Sequence, residues 1–378
     1  MKRSSIMRCF LGLAAMLLFV GSLSGCSSGR PVVPEVLGIP HTGRYAVGAV
    51  ANCPWDMAVY QGDLYVGGGN YGPNDGPVEL WRLDTEAQEW SLSGCVPDEE
   101  INRFVTLGQA LVAPGIDPRE DWSMGNFYVL AEDEWRTLRV LPGVIHNFDV
   151  AEYEGMLFFG CGVPAGAYPV LCSMDGGQTY EQVAMVKEGE ALSTTGYKTV
   201  RSYDLFVLNG QLYATLCCTG SQTLFELYRY EDGCFVYYDT WLDKLHQLSL
   251  VNDIVLAQQE FSGKMFFTTG YLYVTENMKD YVHVAFPENE TVYDLWLDDG
   301  VLYALCGIAR TDGGYEVSVW SNHRGGNTQF EPLFYFSYDV PPLSFVKLDG
   351  DFYIGMGDGK QINEGNGTIL RVTPDKKW

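Results

Sequence analysis

A short hairpin-like sequence recurs along this chain of 378 residues. Its clearest copy is LNGQLYATL, residues 208–216, in which an Asn-Gly pair is followed by an alternating run of apolar and polar residues. Such pairs favour two-residue hairpin turns, because Asn and Gly tolerate the positive φ that these turns require. The turn glycines of the copies are Gly62, Gly108, Gly155, Gly210, Gly263, Gly300 and Gly350.

The copies recur with a period of about 50 residues, which together with β patterning is typical of β-propeller blades. After each hairpin come a Gly-rich loop, a third strand and a polar turn, and an aromatic residue then opens a fourth strand. The aromatic of the seventh copy is Trp378, the last residue, so the segment PVVPEVLG at residues 31–38 is the candidate for the missing strand. Such closure removes an exposed sheet edge. We therefore predict an all-β, seven-bladed β-propeller of four-stranded blades, closed by an N-terminal strand that completes the last blade.

The first 25 residues have the features of an export signal. Lys2, Arg3 and Arg8 accompany a short apolar run, and the segment LSGC then ends at Cys26. The run is short for a membrane-spanning helix, and the alternatives are a plain secretory signal or a transmembrane helix. We assign residues 1–25 to a signal peptide and residues 26–378 to the propeller, with residues 26–30 as a short tether.

The LSGC segment resembles the lipobox of bacterial lipoproteins. The resemblance implies that Cys26 is lipidated and becomes the first residue of the mature protein. Acyl chains at this position would make the membrane a partner of the protein. The expected location is therefore exported and lipid-anchored, at the bacterial cell membrane or the cell surface.

The charge of the chain is strongly acidic. It has 48 Asp and Glu against 24 Lys and Arg, for a formal net charge of −24. A field of this sign repels phosphate backbones. We therefore expect no nucleic-acid partner.

The segment SMDGGQTY, residues 173–180, fits the pattern S-x-D-x-G-x-T-[WY]. It resembles the Asp box of the bacterial neuraminidase repeat, found in sialidase-like propellers. The resemblance implies a structural role, in which Asp175 accepts backbone hydrogen bonds across the turn and Tyr180 packs between sheets. The resemblance does not imply sialidase activity, because Gly38 stands where the first arginine of the sialidase triad would be. The residues of the box are Ser173, Asp175, Gly177, Thr179 and Tyr180.

One face of the predicted propeller carries the candidate ligand site. Loops between the second and third strands, and loops between successive blades, share this face around the channel mouth. Aromatic residues there would stack on a sugar ring while polar residues bond its hydroxyls; the alternative is that the aromatics shield blade junctions. The candidate residues are His41, Tyr71, Asn74, Asp117, Arg119, Trp122, His146, Tyr197, Arg201, Arg310 and Asp358.

A second pattern places polar residues six positions before most turn glycines. They are Asp56, Asn102, Asp149, Asp204, Asp294 and Ser344. Carboxylates that face one channel repel unless they are hydrogen-bonded or bridged by a cation. Two interpretations follow. In the first, each side chain accepts hydrogen bonds from backbone N–H groups of a neighbouring loop. In the second, Ca²⁺ in the channel is held by Asp56, Asp149, Asp204 and Asp294. No other cofactor is predicted.

Catalytic motifs are absent from the sequence. Apart from residues 25–29, at the end of the predicted signal peptide, it contains no G-x-S-x-G, and it has no H-E-x-x-H and no phosphate-binding Gly loop ahead of a helix. We therefore expect a lipid-anchored extracytoplasmic propeller that binds a glycan or an exported peptide or protein on its loop face, rather than an enzyme. The alternatives are a carbohydrate-active enzyme, either sialidase-like or another glycoside hydrolase or lyase, and a scaffold subunit of an envelope complex. Propellers serve all three purposes.

Overall fold

The computed structural model describes residues 29–70, 72, 76–221, 223–240, 257–287, 290–323 and 328–374. Cys26 and the predicted signal peptide lie outside these residues, as does Trp378. The described residues contain no α-helix, only β-strands and two short 3-10 helices, Pro40–Gly43 and Val50–Asn52. A search of the described residues for a helix long and apolar enough to cross a membrane found none.

All seven copies of the repeated sequence form antiparallel hairpins, as predicted. In the copy that contains Asn209 and Gly210, both residues have positive φ, at 52° and 70°. This is the backbone of a type I′ turn, whose twist matches the right-handed twist of the strands on either side. The turn residues therefore determine the hairpins locally.

The prediction of seven separate blades is wrong. The described residues form a β-propeller with five blades, each a separate sheet of four or five strands. The first is β3 (Met57–Tyr60), β4 (Asp63–Val66), β5 (Val78–Asp84) and β6 (Glu89–Val96). The second is β8 (Val105–Leu107), β9 (Ala110–Pro114), β11 (Met124–Ala131) and β12 (Glu134–Pro142).

The other three blades lie in the C-terminal part of the chain and include the two N-terminal strands. One is β24 (Gln258–Phe261), β25 (Lys264–Thr268), β26 (Leu272–Thr275) and β27 (Val282–Val284). The next is β28 (Thr291–Asp298), β29 (Val301–Ala309), β30 (Tyr315–Asn322) and β31 (Glu331–Tyr338), with β1 (Arg30–Pro31) on its edge. The last is β32 (Pro342–Leu348), β33 (Asp351–Met356), β34 (Thr368–Val372) and β2 (Glu35–Gly38).

The remaining strands belong to one continuous 13-stranded sheet. They are β7 (Asp98–Glu100), β10 (Ile116–Pro118), β13 (His146–Tyr153), β14 (Met156–Val163), β15 (Val170–Ser173), β16 (Glu181–Gln182), β17 (Met185–Lys187), β18 (Glu190–Ala191), β19 (Thr199–Arg201), β20 (Leu205–Leu208), β21 (Gln211–Thr219), β22 (Leu224–Glu231) and β23 (Cys234–Thr240). The third and fourth predicted blades both lie in this sheet.

Two three-residue strands in the loops explain why these blades are not separate. Strand β10 pairs with both β7 and β13, and strand β19 pairs with both β14 and β21. Each therefore carries the hydrogen bonding of the sheet from one repeat to the next. Because backbone pairing is continuous from β7 to β18, the repeats in this part of the chain are joined into one sheet.

The N-terminal strand pairs with the last repeat, as predicted. Strand β2 is antiparallel to β34, with Val36 opposite Leu370. The indole N–H of Trp90 also donates to the carbonyl oxygen of Leu37 at 3.0 Å, which ties the strand to the first blade. The first and last repeats are thus joined through an N-terminal strand that covers the edge of β34.

The turn at residues 173–180, whose sequence resembles an Asp box, has the hydrogen bonds predicted for it. The carboxylate of Asp175 accepts the backbone N–H groups of Gln178 and Thr179, both at 2.9 Å. It also accepts the hydroxyls of Ser173 and Thr179. These bonds, that of the Thr179 backbone N–H first, lower the pKa of Asp175 to about 2. Gly177 supplies a φ of 91°.

Tyr180 follows this turn and packs between two sheets, also as predicted. It is 6% exposed, and its ring lies 5.3 Å from Phe159 and 6.0 Å from Phe127, measured between centroids. Phe159 belongs to the 13-stranded sheet and Phe127 to the blade before it. The aromatic residue therefore fills the junction between neighbouring repeats.

Candidate functional site

A central cavity of about 560 Å³ lies among the first strands of the repeats. Four of the six positions that precede the turn glycines line it, namely Asp56, Asn102, Asp149 and Asp294. The regular spacing of these residues in the sequence brings them together because each lies in the first strand of its repeat or shortly before it. Other residues of the wall are Trp55, Arg103, Phe104, Thr106, Gln258, Gln259, Tyr293 and Trp296.

The channel carboxylates accept hydrogen bonds from backbone N–H groups, which is the first of the two interpretations of the sequence pattern. Asp56 accepts the N–H of Met57 at 2.8 Å and that of Phe104, in the next repeat, at 2.6 Å. Asp149 and Asp294 repeat this arrangement, one bond to the following residue and one to a neighbouring repeat. Their donors are Val150 and Leu205 for Asp149, and Leu295 and Phe345 for Asp294.

Arg103 is the cation of the channel. Its Nη1 lies 2.7 Å from Oδ2 of Asp149, and its Nη2 lies 3.6 Å from Oδ1 of Asp204. The side chain of Arg103 is 11% exposed, and those of the two aspartates are 4% exposed. Burial alone would lower the pKa of Arg103, but Asp149 and Asp204 outweigh it and raise the pKa. The arginine thus holds two carboxylates from successive repeats.

Two carboxyls in the channel have raised pKa values. Burial raises the pKa of Asp56 to about 7, although two backbone N–H groups and Arg103 act in the opposite direction. Burial, and then the charge of Asp56, raise the pKa of Asp294 well above its usual range. The described residues contain no group of three or more His, Cys, Asp and Glu side chains arranged to hold a metal ion.

A second cluster of polar side chains lies on the loop face, where strands β10, β13 and β19 meet. It consists of Asp117, His146, Arg201 and Tyr203. Ile116 pairs with His146, and β19, which ends at Arg201, pairs with the last residues of β14. The two inserted strands that join the repeats therefore also bring these side chains together, including His146, Arg201 and Asp117, which the sequence placed on this face.

Arg201 is oriented by two uncharged acceptors. Its Nη1 donates to the hydroxyl of Tyr203 at 2.9 Å, and its Nη2 lies 3.4 Å from Nε2 of His146. Because an arginine can only donate, Nε2 of His146 is the acceptor and the proton of the neutral ring is on Nδ1. The guanidinium carbon is 5.8 Å from the ring centroids of both Phe148 and Tyr203, within cation–π range.

His146 and Asp117 face each other within this cluster. Nδ1 of His146 lies 3.2 Å from Oδ1 of Asp117, although the two atoms are not aligned for a hydrogen bond. Burial, and then Arg201, lower the pKa of His146 to about 3, so the ring is neutral at physiological pH. Burial raises the pKa of Asp117 to about 6, with Arg201 acting to lower it.

The backbone and the rings around the cluster restrict the positions that the side chains of His146 and Asp117 can take. A Cβ on Gly162 would lie 2.6 Å from the ring of His146, so only glycine fits opposite the imidazole. Asp117 has a φ of 55°, a left-handed conformation that is uncommon for a residue other than glycine. His146 also stacks on Phe148, with ring centroids 5.4 Å apart. The side chains are therefore held in position before any ligand arrives.

Of the other predicted ligand residues, those whose side chains the structure describes are not part of this cluster. Trp122 is 64% exposed, and Tyr197 packs against the main core of the 13-stranded sheet. Arg119 donates to the carbonyl oxygen of Gly76, and Arg310 pairs with Asp312. Asp358 accepts the N–H of Lys360 in its own loop. Tyr71 and Asn74 lie outside the described residues, and of His41 only the backbone, within a 3-10 helix, is described.

Arg103 and Tyr203 are among the residues that the sequence analysis did not assign to these sites. Arg103 stands one position after Asn102, which belongs to the pattern that precedes the turn glycines. Tyr203 likewise stands one position before Asp204. A search for polar or aromatic residues next to that pattern would therefore have found both, but their partners come from other repeats, which sequence spacing does not show.

Comparisons with known proteins support the fold alone. No family model and no curated protein matches the sequence. Among solved structures, Raptor from Chaetomium thermophilum has a TM-score of 0.50 and 8% identity, over 86% of this chain and 28% of that one. The β-propeller domain of the trilobed protease from Pyrococcus furiosus has a TM-score of 0.44 and 8% identity, over 85% of this chain and 94% of that domain.

A puromycin-hydrolysing peptidase from Mycobacterium tuberculosis has a TM-score of 0.48 and 12% identity, over 93% of this chain. The present chain covers 55% of that enzyme. At such identities a likeness extends to the fold and not to the site. What the sheet topology establishes is that the described part of this protein is all-β and has a β-propeller fold.

Proposed function

We propose that this protein is a binding protein whose propeller face holds the anionic group of a ligand at Arg201. The observation that carries the proposal is the state of this arginine. Within the described part of the chain, it forms no ion pair, although the chain has twice as many acidic residues as basic ones. The positive charge of a half-buried guanidinium with neutral hydrogen-bond partners is not balanced by the protein. It is therefore available to bind an anionic group of a ligand.

The surroundings of Arg201 favour a carboxylate on a sugar or a peptide. Its guanidinium has donors beyond those that reach Tyr203 and His146, and arginine binds carboxylates through two parallel hydrogen bonds. Tyr203 and Phe148 supply an aromatic wall next to it. An acidic glycan is the ligand that best combines these features, and a peptide with a free C-terminal carboxylate is the alternative.

Export and lipid anchoring at Cys26 are part of the same proposal. They rest on the charged start, the short apolar run and the LSGC segment of the sequence. A binding protein held at the cell envelope would meet glycans and exported peptides there. Labelling cells with a fatty-acid analogue tests this part, since Cys26→Ser should abolish incorporation of the label into the protein.

Binding by Arg201 can be tested by replacing it with methionine. The variant Arg201→Met should lose at least tenfold in affinity for a glucuronate-containing disaccharide, because a charge-assisted hydrogen bond contributes about 1.5–3 kcal/mol. Titration calorimetry should show that the unmodified protein binds this disaccharide more tightly than the matching glucose disaccharide, and that Arg201→Met removes this difference. A C-terminally free tripeptide and its amide form the second pair of probes.

Arg310→Met is the matched control for this experiment. Arg310 is also an arginine that the sequence placed on the ligand face, but it is paired with Asp312. Its replacement should leave the affinity unchanged. Equal losses in both variants, or binding that does not distinguish the carboxylate from its neutral counterpart, would contradict the proposal.

Binding of an anion should also strengthen as the pH falls. The pKa of Asp117 is about 6, so its charge opposes an anion at pH 8 and is largely gone at pH 5. His146, with a pKa of about 3, stays neutral over this range. We expect an affinity about tenfold higher at pH 5, which corresponds to a rise of about one unit in the pKa of Asp117 on binding.

The variant Asp117→Asn separates this effect from general acid sensitivity. It should bind at pH 8 about as tightly as the unmodified protein binds at pH 5, with little further change as the pH falls. If calorimetry shows the same pH dependence in both proteins, Asp117 is not the group that controls affinity.

A further inference from the structure

The central cavity contains a polar side chain that the protein does not satisfy. Asn102 lies in its wall and is 4% exposed, and neither its amide oxygen nor its amide nitrogen has a hydrogen-bond partner among the described residues. The indole N–H of Trp296, in the same wall, is also buried without a partner there. Leaving such groups unpaired is unfavourable, because each has lost the hydrogen bonds that it makes to water in the unfolded chain.

The charged groups of the cavity, by contrast, are already matched. Asp56, Asp149 and Asp294 each accept two backbone N–H groups, and Arg103 is bound to Asp149 and Asp204. An anionic ligand would meet three acidic side chains and a guanidinium that is already paired with two carboxylates. The cavity therefore favours an uncharged ligand whose hydroxyl or amide groups both donate and accept hydrogen bonds.

The size and the apolar part of the wall narrow the class of ligand further. A volume of about 560 Å³ falls within the range of small-molecule sites in proteins. Trp55, Phe104, Tyr293 and Trp296 contribute aromatic surface. Thr106 is exposed and Gln259 half-buried, so the cavity opens to solvent where these residues lie. Aromatic surface beside polar groups suits a ring with an apolar face and hydroxyls at its edge.

We infer that the central cavity is a second binding site, which takes a neutral mono- or disaccharide and engages it through Asn102 and Trp296. This site is separate from the one at Arg201, because none of Asp117, His146, Arg201 and Tyr203 lines the cavity. The amide of Asn102 turns toward the ligand by rotation of its side chain, which costs the protein no hydrogen bond because the amide has none in the described structure.

The test is a titration of the full mature chain, with binding measured by calorimetry and ligand-observed NMR. The sugars are glucose, galactose, mannose, N-acetylglucosamine and their β-linked disaccharides. At least one of these sugars should bind with a dissociation constant of about 1 mM or lower. Asn102→Leu should weaken that binding by at least tenfold. Trp296→Phe, which keeps an aromatic ring but removes the N–H, should weaken it by about three- to tenfold.

The variants also separate this inference from the proposal for Arg201. Asn102→Leu should not unfold the protein, since it removes a buried polar group that has no partner. It should leave binding of the glucuronate disaccharide intact, and Arg201→Met should leave binding of the neutral sugar intact. The inference is overturned if no sugar of the panel binds, which would mean that water alone fills the cavity. It is also overturned if Asn102→Leu and the unmodified protein bind the sugar equally.

Discussion

Replacing Arg103 with methionine is expected to lower the free energy of unfolding by about 3–5 kcal/mol at pH 8. The substitution leaves the carboxylates of Asp149 and Asp204 without their cation, and both side chains are 4% exposed. A buried charge that loses its partner costs far more than the pair itself contributed. Urea unfolding followed by tryptophan fluorescence measures the difference.

The loss should become smaller in acid. A protonated carboxyl carries no charge, so acid removes the unpaired charge that the variant would otherwise bury. The gap between the two proteins should therefore narrow between pH 8 and pH 4.5. A constant gap would mean that lost packing, rather than unpaired charge, destabilises the variant.

Arg136→Met is the control for this substitution. Arg136 is 61% exposed and lies 3.9 Å from Glu132, so the pair is on the surface and contributes little. Its replacement should change the free energy of unfolding by less than about 0.5 kcal/mol. If Arg103→Met costs no more than this control at pH 8, the ion pairs of the channel do not stabilise the ring.

Gly115→Ala is expected to be strongly destabilising. A Cβ at this position would lie 1.9 Å from Oδ2 of Asp98 and 2.9 Å from the ring of Tyr128. Neither side chain can easily withdraw, because Oδ1 of Asp98 accepts the hydroxyl of Tyr128 at 2.7 Å and the amide of Asn126 at 2.6 Å. We expect a loss of about 3 kcal/mol, at the upper end of overpacking effects.

Gly43→Ala is the matched control, since a Cβ there would meet no atom within 4 Å. Its free energy of unfolding should stay within about 0.5 kcal/mol of the unmodified protein. Thermal unfolding of both variants gives the comparison. A normal melting temperature for Gly115→Ala would show that strand β10 can move away from β7, and that the network around Asp98 does not fix the two strands.

The features that could be predicted from the sequence are those determined by neighbouring residues. The turn at Asn209 and Gly210 follows from two residues that tolerate positive φ. The turn around Asp175 follows from a carboxylate that reaches backbone N–H groups a few positions away. The register of the channel carboxylates follows from a fixed distance to a turn glycine. Each of these depends on a few consecutive residues, so each has a signal in the sequence.

The number of separate blades could not be predicted in this way. It depends on β10 and β19, which are three residues long and too short to show alternating polarity. Their partners are remote in the sequence: Ile116 pairs with Glu100 and His146, and Val200 pairs with Val163 and Cys218. The same limit applies to Arg103, whose partners lie in two other repeats. Local patterns do not contain such pairings.

The 13-stranded sheet makes one part of the ring more rigid than the part that consists of separate blades. Within this sheet, any displacement of one repeat must stretch or break backbone hydrogen bonds that continue from β7 to β18. Elsewhere in the described ring, backbone pairing between blades is limited to contacts such as the single bridge between Gly270 and Val292. A load applied to the rim would therefore be absorbed by blades sliding past one another on that side. Arg201, at the end of β19, belongs to the more rigid part of the ring.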